Sequence, residues 1–165
     1  MAQSRSLKLA TLVSLTSAAT MLLIQACGGG AVAQSTDADP VEGFWEAVIT
    51  VRDCTSGATI LTARGQQVLH RGGTLSDTNA APPTTRGVGF GTWRRDTTGA
   101  GYTARFRFNR YNPDGSLAGS LRVTRAFTLS ADGNTQTSTN TSQVLDVAGT
   151  VLQNACAGDV STRVP

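Results

Sequence analysis

Leu117-Ala118-Gly119-Ser120-Leu121-Arg122-Val123-Thr124-Arg125-Ala126-Phe127-Thr128-Leu129 is the run whose reading decides the fold. Its odd positions are apolar or glycine except for Arg125, and its even positions are small or polar. A period of two held this long marks a strand with one face in a core and the other in water. Arg125 stands in the inward row, where a guanidinium is costly unless it is paired. It serves either as a plug stacked on Trp45 or Trp93 or as the partner of a ligand carboxylate inside the fold.

Outward from this run, the pattern repeats. Upstream, Asn112-Pro113-Asp114-Gly115 is a turn in which Pro presets φ and Gly supplies the positive φ that follows. Before it, Tyr102, Ala104, Phe106 and Phe108 make the inner face of a strand, and Thr103, Arg105, Arg107 and Asn109 the outer. Downstream, Ala131-Asp132-Gly133-Asn134 turns into a strand at Thr135 to Val147, and Ala148-Gly149 leads into the last strand, Thr150 to Val164. Further upstream, Val88 to Arg95 is a glycine-laced strand with Gly89, Gly91 and Trp93 on one face. Such glycines mark a bend or the close approach of something large, with Trp45 or Trp93 the candidates.

Asn79 to Gly87 holds Pro82-Pro83 and is the longest loop, the expected lid of any pocket. Thr74 to Thr78 is a short strand around Leu75, and Arg71-Gly72-Gly73 is a tight turn. Thr59 to His70 alternates less cleanly, because Gln67 joins Leu61, Ala63 and Leu69 on one face while Val68 is opposite. The first strand opens at Gly43-Phe44-Trp45, with Trp45, Ala47, Ile49 and Val51 inward, and ends in a turn from Asp53 to Ala58.

No stretch beyond the leader has a helical period. Turn centres near residues 56, 72, 82, 98, 114, 132 and 148 divide the chain into eight strands joined as hairpins. Long, evenly spaced strands predict an all-β fold, an eight-stranded antiparallel up-and-down barrel over 42–165. In a closed meander the first strand lies antiparallel to the eighth, which brings Cys54 to Cys156. A disulfide between them and a closed barrel therefore support one another. The four loops near 53–58, 79–87, 112–116 and 147–150 share the end opposite the N-terminus, where a pocket would open.

At the N-terminus, Arg5 and Lys8 precede an uncharged apolar stretch from Leu9 to Ala26, the pattern of a signal peptide over 1–26. Ile24-Gln25-Ala26-Cys27 resembles a bacterial lipoprotein box, with Gln25 a departure from it. Ala31-Val32-Ala33 offers a second cleavage site, before Gln34. An exported chain with three cysteines leaves one over once Cys54 and Cys156 pair, and thioether lipidation accounts for Cys27. Residues 27–41 then read as a flexible tether and linker. The expected location is the bacterial cell envelope, lipid-anchored in the outer membrane or periplasm, with secretion after cleavage before Gln34 as the alternative.

The 165 residues carry 14 basic and 11 acidic side chains. Without Arg5 and Lys8 the balance is 12 to 11, which argues against a nucleic-acid partner. Lys8 is the only lysine. The outward arginines Arg94, Arg105, Arg107 and Arg122 fall on three neighbouring strands, either as a solvated face or as a patch for anionic headgroups or polysaccharide.

Gly43-x-Trp45 at the head of an eight-strand meander resembles the lipocalin and calycin barrels. The resemblance implies that Trp45 closes the barrel floor and that an arginine near the last strand packs across it. Arg163 matches by position, and Arg125 is the rival. No C-terminal helix and no second lipocalin motif accompany it. More of the chain is covered by a second resemblance: Gly43-Phe44-Trp45, Asp53-Cys54, His70-Arg71-Gly72-Gly73-Thr74-Leu75-Ser76, Gly91-Thr92-Trp93 and the late Cys156 are similar to a group of uncharacterised exported bacterial proteins. That group implies no activity.

Chemistry is thin. His70 is the only histidine, with Ser76 and Asp77 near in sequence, but it ends a strand at a tight turn, where a hydrogen bond to the turn explains it. One His and scattered Asp do not have metal-ligand spacing, and no phosphate-loop pattern or cofactor motif occurs. The expected function is a non-enzymatic envelope barrel that binds a small, mostly apolar ligand, a reading that an internal cavity of several hundred Å³ would favour. Phe106, Phe108, Leu121 and Phe127 would line that cavity. The alternative is a structural or interaction lipoprotein whose barrel is filled by side chains.

Overall fold

A computed structural model of the chain describes residues 38–165. The expected signal peptide, both candidate cleavage sites and Cys27 lie outside the described residues. Eight strands follow in order: β1 (Gly43–Arg52), β2 (Thr59–Leu69), β3 (Thr74–Asn79), β4 (Gly89–Arg95), β5 (Tyr102–Tyr111), β6 (Leu117–Leu129), β7 (Thr135–Leu145) and β8 (Val151–Val164). Each pairs antiparallel with the next, and β8 pairs with β1, so the sheet closes into an up-and-down barrel. The alternating run Leu117–Leu129 is one strand from end to end. β7 stops two residues earlier than its pattern suggests. Asp146 accepts a hydrogen bond from the Thr150 backbone N–H at 2.8 Å, which starts the turn there and leaves Val147 in solvent.

One end of the barrel is packed shut. Trp45, Leu69, Leu75, Trp93, Tyr102, Ala104 and Phe127 form its core, joined by Val41 from before the first strand. Tyr102 stacks on Phe127 at 5.2 Å and meets Trp93 at a tilt. The Arg163 guanidinium lies 4.3 Å from the centre of the Trp45 ring, a cation–π contact across the floor. Its Nε donates to the Gly133 carbonyl at 2.9 Å and its Nη1 to the Glu42 carbonyl at 2.8 Å, while Nη2 reaches the Pro40 carbonyl.

The segment just before β1 belongs to this floor and is not linker. Val41 is fully buried, and its carbonyl takes the Trp45 indole N–H at 2.9 Å. Asp39 accepts from the Val41 backbone N–H, the Tyr102 hydroxyl and, through both Nε and Nη2, Arg95. Burial and the Asp39 acceptor push the Tyr102 phenol up to about 12. Asp39, inside the expected linker 27–41, is thus the acceptor that ties a strap across the barrel bottom.

Gly91 of β4 has a nearer cause than either tryptophan. A Cβ on Gly91 would come within 2.0 Å of the Arg105 carbonyl oxygen and 2.5 Å of Phe106 Cβ. β4 and β5, paired at Gly91 and Phe106, pack so closely there that only hydrogen fits. At the opposite end, Cys54 and Cys156 form a disulfide with a Cα–Cα distance of 5.2 Å, beside the last β1–β8 pair, Arg52 with Cys156.

Candidate functional site

Above the aromatic floor the interior becomes polar. Arg125, 3% exposed, turns its guanidinium to Asp159 on β8: Nε to Oδ2 at 3.1 Å and Nη2 to Oδ1 at 2.7 Å, a bidentate pair. Nη1 reaches across to Gln67 Oε1 on β2 at 3.2 Å. The guanidinium also lies 4.2 Å from the Phe127 ring centre. Arg125 therefore stacks on neither Trp45 nor Trp93. A buried guanidinium needs acceptors for its fork, which a carboxylate and an amide oxygen supply and an indole face does not. The floor arginine is Arg163.

Asp159 is well provided. Besides Arg125 it accepts from Asn140 Nδ2 at 2.8 Å, Ser161 Oγ at 2.9 Å and Ser138 Oγ. Burial raises its carboxyl pKa, but Arg125 and these donors outweigh it and hold the group below the ordinary aspartate range. Gln67, which spoiled the alternation of its strand, is inward because it completes this cluster.

A second buried pair sits beside the first. Asp77 on β3 takes the Nη2 of Arg86, and both side chains are at most one tenth exposed. Arg86 also donates through Nη1 to the Gly87 carbonyl at 3.1 Å and lies 3.7 Å from the Phe108 ring centre. Here burial wins: desolvation pushes the Asp77 carboxyl up to about 6, against the lowering charge of Arg86. Asp77 has one cationic partner where Asp159 has a guanidinium and three further side-chain donors.

Arg86 is delivered by the long loop. β5 runs to Tyr111 while β4 begins only at Gly89, so the upper part of β5, paired with β6 on one side, has no strand on its β4 side. Residues 85–87 fill the gap. The Gly87 N–H donates to the Asn109 carbonyl at 2.9 Å and the Tyr111 N–H to the Thr85 carbonyl at 3.0 Å. The loop expected to hang over the mouth is stitched into the wall, with Arg86 inside.

Above these pairs a cavity of about 200 Å³ opens at the end opposite the floor. Ile49, Val51, Leu61, Phe106, Phe108 and Leu121 supply apolar wall, and Gln67, Asp77, Arg86, Arg125 and Asp159 supply its base. Of the expected lining, Phe106, Phe108 and Leu121 are in place. Phe127 is not: it is 3% exposed in the floor core, with Trp45 and Trp93. The cavity is also smaller than the several hundred Å³ that would favour binding, because the polar pairs occupy the middle of the barrel.

His70 Nε2 is 3.0 Å from Ser76 Oγ on the outside. Asp77, next along the strand, faces inward to Arg86, so the three side chains do not converge. Among the described residues no group of three or more His, Cys, Asp or Glu gathers as a metal site. Sequence reasoning missed Asp77, Arg86 and Asp159. Two of these carried a signal: Asp77 is two residues from inward Leu75, and Asp159 is four from Arg163, both of inward parity. Arg86, in a loop without period, had none. Neither a protein-family model nor a curated protein matches the chain.

Proposed function

We propose that the protein is a non-enzymatic binding barrel of the bacterial cell envelope, taking a small, mostly apolar ligand through its open end. The carrying observation is the cavity of about 200 Å³, with aliphatic and aromatic walls above a base of paired charges. Both carboxylates at that base already have arginine partners, so the base suits a neutral polar group better than a third charge. The volume fits one ring or a short branched chain, since an apolar cavity of about 150 Å³ holds benzene. The calycin resemblance and the leader with Cys27 support the same reading, which places the barrel on a lipid anchor.

Native mass spectrometry of protein taken from its host tests the binding. The expected result is a co-purified small molecule that is lost when Ala63→Phe fills the cavity. Protein that carries no adduct and takes up no apolar probe would overturn the carrier reading. A structural or interaction lipoprotein with a filled barrel would then stand. One observation favours that second reading: the cavity falls short of the roughly 300 Å³ at which small-molecule sites begin. For the anchor, Cys27→Ser should move the protein from the membrane to the soluble fraction. Unchanged partition would remove the lipid from the proposal.

A further inference from the structure

Strands β4 to β6 contain seven arginines, and β4 to β7 contain no aspartate or glutamate. Arg95 and Arg125 are committed to Asp39 and Asp159. Arg94, Arg105, Arg107 and Arg122 are exposed on the outer face, and none of the four is in an ion pair among the described residues. Arg122 has only a long contact to Gln143, at 3.4 Å.

The register sets these four in a staircase. Arg122 on β6 stands directly opposite Arg107 on β5. Arg105 is two residues along β5 from Arg107. Arg94 on β4 is its diagonal neighbour, since Arg105 pairs with Thr92 and Arg94 with Thr103. Neighbouring steps are roughly 5 to 8 Å, the spacings of facing, successive and diagonal positions on one sheet face. Between Arg94 and Arg105 the surface is hollowed into a groove of about 350 Å³ with Thr92 and Thr103 in its walls. Phe90, 66% exposed, lies opposite Arg107 on the other side from Arg122.

Like charges directly opposite on a sheet destabilise it, and here no ion pair relieves them: Asp96, at the Arg94 end of the staircase, accepts from Thr103 instead. Solubility does not require such an arrangement, because charges of both signs spread over the surface serve it better. A linear polyanion does fit it, with a guanidinium available for each successive anionic group. We infer that the outer face of β4–β6 binds an acidic polysaccharide, its carboxylates or sulfates on the staircase Arg94, Arg105, Arg107 and Arg122 and a sugar ring on Phe90. A guanidinium fork matches such oxyanions in a bidentate manner, and an aromatic face stacks on the apolar face of a pyranose. Single-stranded nucleic acid fits less well, because it needs several stacking aromatics in succession and only Phe90 projects here. A flat anionic membrane would meet a convex face with no apolar row to insert. This surface is outside the barrel and does not depend on the cavity being occupied.

The test is retention on immobilised polyuronate and on heparin, with dextran, single-stranded DNA and phosphatidylglycerol vesicles as comparisons. The protein should bind the two acidic polysaccharides, release them as salt rises, and ignore dextran. The variant R105Q/R107Q/R122Q should lose affinity by roughly tenfold or more, as removal of several charge contacts implies. It should melt no lower than the parent, since it relieves like-charge repulsion. R52Q/R64Q, on β1 and β2, should bind as the parent does. Phe90→Ala should weaken binding of polyuronate but not of polyglutamate, which has charge without sugar rings. Absence of binding, equal binding by the triple variant, or tighter binding to the vesicles or the DNA would overturn the inference.

Discussion

Replacing Arg125 by Met removes a cation but leaves Asp159 buried with its remaining donors and no countercharge. The expected loss is about 3–5 kcal/mol, the range for breaking a buried pair from one side. The double variant Arg125→Met with Asp159→Leu should recover most of that loss, because a filled apolar site of similar volume needs no countercharge. Urea unfolding of the parent, both single variants and the double variant measures the coupling directly. If the double variant is no more stable than Arg125→Met alone, the pair is holding neighbours such as Gln67 and Asn140 in place. Asp77 behaves differently. Its native carboxyl titrates near 6 because burial outweighs Arg86, whereas an unfolded aspartate titrates at about 3.9. The native state holds this proton more tightly. Its contribution to stability is therefore fully present below about pH 4 and is lost as the pH rises through about 6. Asp159 has the opposite sign: its contribution is present above the unfolded value and fades as the pH falls through its lowered native one. Carboxyl-carbon NMR should show Asp77 titrating near pH 6 and moving higher in Arg86→Met. A wild-type midpoint near 4 would mean that the Arg86 charge, and not burial, governs the site.

At the scale of the strand, the sequence was most legible where a side chain's direction follows from its parity. Leu117–Leu129 declared both its span and its inward arginine, because apolar residues alternate with small polar ones over its whole length. The partners of that arginine were harder to read. Asp159 is 34 residues away and Gln67 is 58, on strands brought near only by closure of the sheet. In β8 the flanking Ala155, Ala157 and Gly158 give little hydrophobic contrast, so Asp159 did not stand out as inward. The loop between β3 and β4, with its two prolines and no periodicity, is expected to be a lid. It is instead held by hydrogen bonds that the unequal lengths of β4 and β5 leave available. The close pairing of β4 and β5 at Gly91 gives a prediction for elements. Gly91→Ala puts a methyl against the Arg105 carbonyl, a backbone atom that cannot swing aside. The loss should be about 3 kcal/mol or more, the upper range for overpacking. Thermal melting measures it, and hydrogen exchange should show Trp93 and Phe106 amides losing protection first. A variant that melts with the parent would show that the two strands can part without cost.

For the whole molecule, closure is the organising fact. The seam between β1 and β8 runs from Phe44–Val164 at the floor to Arg52–Cys156 at the mouth, and the disulfide fastens its upper end. The two cysteines are 102 residues apart, so the bond restricts nearly the whole unfolded barrel. Chain entropy puts its value at up to about 4.7 kcal/mol for a loop of roughly that length. Cys54→Ser with Cys156→Ser should lower stability by an amount approaching this, while circular dichroism keeps its β signature, because the seam's backbone ladder remains. Unfolding in denaturant with and without reductant gives the same comparison in the parent. An unchanged midpoint would mean that the closed sheet already restricts what the disulfide was thought to restrict.

The seam also has a mechanical side. Because Phe44 is paired with Val164, both ends of the folded chain leave the barrel at the floor. A pull between them would first strip the strap at Asp39 and Val41 from the floor, then load the seam at its lowest rung and open it as a zip opens, one rung at a time, with no rungs sharing the force. Such geometry yields easily. The tear would run upward only until it met the covalent stitch at Cys54 and Cys156, and every strand from β2 to β7 lies behind that stitch. Under tension the oxidised barrel would extend a little and then stiffen. The reduced barrel would give way along its whole length.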